Sequence, residues 1–180
     1  MIQTIRLGHV LREAVTTPYR NLVTRPTGAA VRGRIERVML ESGCRTALLD
    51  FSDVELLDLS CADEIVAKLL LMSDSAADRY VVLWRLREDQ IEAIDHVLTH
   101  QRLAVAALAA DADALGVLGA LDPDGRSAFS CVAEHGPMRA DAVAEALTWA
   151  ESRARSALDM LAGLRLVRVR GDAFHSLLVA

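Results

Sequence analysis

The feature that most constrains the fold is an alternation. Between residues 19 and 109, short apolar runs take turns with longer segments whose apolar residues recur every three or four positions. Thr46-Ala-Leu-Leu-Asp-Phe51, Tyr80-Val-Val-Leu-Trp84 and Leu103 to Ala109 are too short for helices and read as buried strands. The segment that opens at Thr24 and Pro26 carries Ala30, Val31, Ile35, Val38 and Met39 on one face and stops at Gly43, which predicts an amphipathic helix. Glu88 to His100 repeats that spacing with Ile91, Ile94, Val97 and Leu98. Tyr19 to Val23 and Val54 to Leu57 read as a short strand and a loop. Strands that alternate with helices in this way predict a sheet covered by helices.

The pattern breaks at Asp122-Pro-Asp-Gly125, a compact turn signal. After it come three helical stretches, Arg126 to His135, Met138 to Leu147 and Ala150 to Leu164. They are followed by Leu166 to Arg170 and Ala173 to Val179 around a two-residue Gly171-Asp172 turn, a hairpin. The expected organisation is an α/β domain over residues 1–121 and an α+β domain over residues 124–180. The Leu103 to Leu121 tract, broken by Asp111 and Asp113, reads as two short strands, with Leu115 to Gly119 a last strand or short helix. Its apolar surface is the candidate interface of a homodimer. For Met1 to Pro18 a further strand and a loose arm are both open.

Charge and cysteine content narrow the function. A formal net charge of −5 over 180 residues argues against a chain-wide polyanion binder, so nucleic-acid binding has to be local. Cys44, Cys61 and Cys131 are an odd set with no C-x-x-C spacing, which predicts free thiols and a reducing compartment. Arg6, His9, Arg12 and Glu13 interrupt the first apolar stretch, so no export or membrane signal is read and the expected location is cytoplasmic. No P-loop, dinucleotide glycine motif, nucleophile elbow or His-Glu-x-x-His is present, and the expectation is a non-enzymatic protein without cofactor or metal. His96 and His100 stand four apart on one helix, a metal-compatible spacing that lacks a third ligand.

Two resemblances follow from particular strings. Ala140-Asp-Ala-Val-Ala-Glu-Ala-Leu147, Ser152-Arg-Ala-Arg-Ser-Ala-Leu158 and Leu161-Ala-Gly-Leu-Arg-Leu-Val-Arg168 resemble a bacterial winged helix-turn-helix, with Arg165 where that family more often has glycine. Leu48-Leu-Asp-Phe-Ser-Asp-Val54, Leu57-Asp58, Ser60-Cys-Ala-Asp-Glu64 and the upstream Asn21-Leu-Val-Thr-Arg25 resemble the sulfate-transporter/anti-sigma-antagonist (STAS) fold and its bacterial STAS-like relatives.

The second resemblance implies that Ser60 is a phosphorylation or switch site, with Asp58, Cys61, Asp63 and Glu64 forming a docking edge for a kinase or anti-sigma-like partner. Leu59 and Cys61 replace the small residues of the antagonist motif. On spacing alone Ser60 is placed to N-cap the helix through Leu71, with Asp63 and Glu64 in its first turn. Cys61 at that helix start would have a lowered thiol pKa or be a buried small side chain.

The first resemblance implies DNA contacts from Ser152, Arg153, Arg155, Arg168 and Arg170, while Trp149 reads as a packing anchor. Residues 124–180 hold seven Arg and seven acidic residues, so this part is electrically neutral. The two functions in view are a DNA-binding regulator and a protein-interaction switch. Arginines clear of acidic neighbours favour the first; buried or acid-paired arginines favour the second.

Overall fold

The computed structural model describes residues 1–15, 20–72 and 78–178. A five-stranded sheet runs β1 (Ile2–Arg6), β3 (Thr46–Asp50), β5 (Tyr80–Leu86), β6 (Ala104–Ala109) and β7 (Gly116–Gly119) across its width. The first four strands are parallel, and β7 turns back antiparallel on β6. Their order advances in one direction only. A connection between parallel strands is almost always right-handed, so a sheet built this way places its crossover helices on one face. Those helices are α1 (Leu7–Ala14), α2 (Arg25–Ser42), the α3–α4 segment (Leu59–Ala62 and Lys68–Met72) and α5 (Glu88–His100). Leu7, Val31, Ile65 and Ile94 meet Ala47, Leu49, Leu83 and Val105 of the sheet in one core.

Residues at the alternate strand positions, Leu48, Val82, Ala104, Ala106 and Val117, face the other way, as the two-residue period of a strand requires. They form a second core with Ala128, Phe129, Val132, Leu158 and Leu161 of the C-terminal helices. These are α6 (Pro123–His135), α7 (Ala140–Leu147) and α8 (Glu151–Gly163), followed by a separate hairpin of β8 (Arg168–Arg170) and β9 (Ala173–His175). Met138 bridges Phe174, so the segment between α6 and α7 joins the hairpin. The sheet is therefore covered on both faces, and the C-terminal residues supply the second cover.

Several boundaries move for local reasons. Asp122-Pro-Asp-Gly125 is a helix start as well as a turn, because the Asp122 carboxylate accepts from the Gly125 N–H at 2.7 Å and Pro123 occupies the first helical position. Thr24 caps α2 and Gly43 closes it as expected, but Gly28 replaces Ala30 on the buried face. The strand expected over residues 19–23 shrinks to β2 (Asn21–Leu22), paired parallel with β4 (Leu56–Leu57). Tyr19 at one end of that expectation and Val179 at the end of the hairpin lie outside the described residues. In the Leu103 to Leu121 segment expected to carry a dimer surface, Val105 packs in the first core and Ala106 and Val117 in the second, while residues 110–114 are exposed. Among the described residues no helix is long and apolar enough to cross a membrane.

Candidate functional site

The loop after β4 does not place Ser60 as the helix cap. Asp58 takes that position: its Oδ1 accepts from the Cys61 N–H and from the Ser60 hydroxyl, each at 2.8 Å. Spacing pointed to Ser60 alone. An aspartate two positions earlier wins because its carboxylate reaches the third residue on, leaving Ser60 within the first turn of α3. A phosphate on Ser60 would stand beside the Asp58 carboxylate, an arrangement that like-charge repulsion disfavours.

The expected docking edge divides in two. Cys61 is fully buried and its thiol donates to the Thr24 carbonyl at 3.0 Å. Burial, with the Asp58 charge adding to it, pushes that thiol up to about 11, so a lowered thiol pKa is excluded. Glu64 is likewise interior, at 3% exposure. Cys61 and Glu64 are thus core residues, which corrects the expectation that they line a docking edge.

Glu64 sits in a π-helical turn, Asp63–Ala67, which joins α3 to α4. Arg25 donates to Glu64 at 3.0 Å and to Asp63 at 2.7 Å, and Arg32 lies 3.9 Å away on the other oxygen. Lys68 and Gln101 complete the shell by pairing with Glu64 and Asp63 respectively. The Lys68 ammonium, with Arg25 and against desolvation, holds the Glu64 carboxyl below its usual range. Burial opposes ionisation of Asp63, yet Arg25, Gln101 and Lys68 together keep its pKa low as well.

Among the exposed residues at this end, beside Thr24, Arg25 and Glu55, are three apolar ones. Val23, Leu56 and Leu59 are 40%, 49% and 50% exposed. The β2–β4 pairing and the Asp58 N–H bond to the Leu22 carbonyl, 2.9 Å, hold the segments bearing them side by side. They form a ridge beside the half-buried Ser60. From sequence, Leu56 falls in the loop expected over Val54 to Leu57 and Leu59 in the STAS-like motif. Only the tertiary arrangement shows that their side chains point outward.

The C-terminal arginines also separate. Arg168 is buried, donates to Thr46 Oγ1 of β3 at 2.8 Å and lies 4.8 Å from the centre of the Tyr80 ring. It fastens the hairpin to the sheet and cannot grip a phosphate, contrary to expectation. Arg153 makes a two-pronged contact with Asp124 at 2.7 and 2.8 Å and stacks on Trp149 at 4.3 Å. Ser152, Arg155 and Arg170 are exposed, with Arg155 5.7 Å from the Phe174 ring centre. The polar ties to the sheet come from Arg126 of α6, which donates to the carbonyls of Val117 and Gly119, and from Arg168, while Arg165 donates to the Arg79 carbonyl just before β5. Ser152 and Arg155 in the N-terminal half of α8 face outward, while Ala154 and Ala157 pack in the core.

Cys44, Cys61 and Cys131 are all free and buried. His96 and His100 are exposed, and the described residues contain no group of three or more potential metal ligands.

A second constellation went unread because the first 18 residues were left open. Chain β1 passes directly into α1, and the carboxyl ends of β1, β3 and β5 border a cleft of about 760 Å³. Arg6, His9, Arg12, Arg34, Asp50, Asp53, Trp84 and Arg85 are among its lining. No protein-family model, curated protein or solved structure matches the chain.

Proposed function

We propose that this chain is a non-enzymatic regulator that works through protein contacts, with a STAS-like α/β layer carrying a winged helix-turn-helix on its second face. The observation that carries the reading is the exposed Val23–Leu56–Leu59 ridge beside Ser60, an apolar surface where the STAS resemblance expects a partner. Order and backbone support the other half of the name. The succession of α6, the Met138 bridge, α7, α8 and the β8–β9 hairpin is that of a winged helix, and Arg165, standing where the family more often has glycine, has a left-handed φ of 58°. A glycine is favoured there because it takes positive φ without steric cost.

Protein contact is preferred to DNA on the fate of the arginines. Arg168 is consumed by the sheet and Arg153 by Asp124, and the remainder of a neutral domain offers few cations to displace counterions from a duplex. One observation favours DNA as the second reading: α8 presents Ser152 and Arg155 outward, near Arg170 of the hairpin, as a groove-reading helix would.

Two measurements separate the readings. A photo-crosslinking residue at position 59 is expected to give a discrete protein adduct in bacterial cells, and Leu56→Asp is expected to abolish it. Genomic DNA fragments at low salt are expected to show no retardation. Retardation that disappears in Arg155→Ala, together with no adduct at position 59, would transfer the assignment to DNA.

A further inference from the structure

The cleft at the carboxyl ends of the parallel strands holds unspent positive charge. Arg6, Arg12 and Arg85 line it, and none of their three side chains has an ion pair or hydrogen bond with another described residue. Arg34 is different: it donates to Glu13 at 3.0 Å, and His9 approaches the same carboxylate at 3.1 Å. The acidic residues in the same lining are Asp50, which stands beside Arg6 in the sheet register and whose Oδ1 accepts from the Ser52 N–H at 3.0 Å, and Asp53. Four arginines therefore face three carboxylates, with one carboxylate already shared between Arg34 and His9.

The backbone around the cleft is built closely. A β-carbon on Gly8, in the first turn of α1, would stand 2.5 Å from that of Asp53, so the turn after β3 is pressed against the helix start. Arg85 has φ of 58° at a bulge between Trp84 and Leu86, where β5 falls out of register with β6. A non-glycine residue held in that conformation at a bulge has its side chain re-aimed, and such distortions gather at binding sites. Trp84 adds a planar apolar wall.

From these groups we infer a binding site for a small phosphomonoester that carries hydroxyl groups, of sugar-phosphate type. Arg6, Arg12 and Arg85 take the phosphate, for which the guanidinium fork is suited. Asp50 and Asp53 accept from the hydroxyls, and Trp84 covers the ring's apolar face. The volume is in the range of sites that enclose ligands of this size. The site lies at the strand ends, distinct from the ridge beside Ser60, and gives the molecule an input besides protein docking.

The test uses the full chain at fixed ionic strength with glucose 6-phosphate, glucose and inorganic phosphate as probes in titration calorimetry. Glucose 6-phosphate is expected to bind, inorganic phosphate more weakly and glucose undetectably. Arg12→Ala and Arg85→Gly are each expected to weaken glucose 6-phosphate binding about tenfold or more, the scale of a lost charge-assisted hydrogen bond. Arg85→Gly removes the guanidinium without adding backbone strain. Asp53→Asn is expected to weaken glucose 6-phosphate while leaving inorganic phosphate unchanged, and Arg37→Ala, on the exposed face of α2, to change neither. Absence of glucose 6-phosphate binding by the folded wild type would overturn the site. Equal binding of the phosphate alone, or equal loss in Arg37→Ala, would do the same.

Discussion

Replacing Gly119 by alanine is expected to cost the fold about 4 kcal/mol, read as a lower urea midpoint with unchanged slope. Gly119 has φ of 93°, a region that side chains rarely adopt, and an added β-carbon would stand 2.1 Å from the Leu103 carbonyl oxygen and 2.8 Å from Leu98. The residue is also a junction. Its N–H donates to Asp95 of α5 at 2.7 Å, and its carbonyl accepts from Arg126 of α6 at 2.8 Å. Backbone strain and overpacking each cost about 1–3 kcal/mol, and here they coincide where β7 ties the helical face to the C-terminal cover. An alanine variant as stable as the wild type would show that this junction relaxes freely.

Glu64→Gln is expected to destabilise the protein by about 3 kcal/mol, the low end of what breaking a buried charge cluster costs. The substitution keeps the shape and removes the charge that Lys68, Arg25 and Arg32 surround. Arg32 is the most enclosed of these cations, and its Nε already lacks a partner, so loss of the carboxylate leaves it worse compensated. A pH dependence accompanies this. Glu64 and Asp63 both have folded pKa values below their unfolded ones, so their contribution is present above about pH 4 and is lost as pH falls through the folded values. Wild-type stability should therefore fall on acidification below about pH 4, and the Gln variant should fall less steeply. Parallel acid limbs in the two proteins would remove Glu64 from that role.

The sheet and its helices were legible because apolar period and punctuation agreed. Thr24, Pro26 and Gly43 bracket α2, and the apolar Ala47–Leu49 run announces a strand covered on both faces. That double burial was itself a clue that something had to cover the second face, and the C-terminal helices do so. For Met1 to Pro18 the choice between a strand and a loose arm stays open in the sequence, and α1 is not legible, because Arg6, His9 and Arg12 interrupt the apolar pattern; those same side chains line the cleft. The cap at Asp58 was misassigned because aspartate and serine two positions apart carry the same local signal.

The site residues divided for a different reason. Charged residues usually lie outside, yet Glu64 and Arg168 are interior because each finds a compensating group far away in sequence. Arg25 and Glu64 are 39 positions apart, and Arg168 and Thr46 are 122 apart. No periodicity encodes such pairs. The exposure of Leu56 and Leu59 was hidden in the same way, since whether an apolar side chain in a short loop or first helical turn faces inward depends on neighbours distant in sequence.

The central claim is that the C-terminal helices share a core with the sheet, so that the ridge beside Ser60 and the outer face of α8 are carried on one body. The two tryptophans test it directly, because Trp84 lies in β5 and Trp149 precedes α8. With Trp149→Phe the fluorescence reports the sheet, and with Trp84→Phe it reports the C-terminal unit. The account predicts that both urea transitions coincide with each other and with the loss of helical circular dichroism, as one cooperative unit requires. Separate midpoints, with the Trp149 signal lost while the Trp84 signal stays native or the reverse, would contradict it.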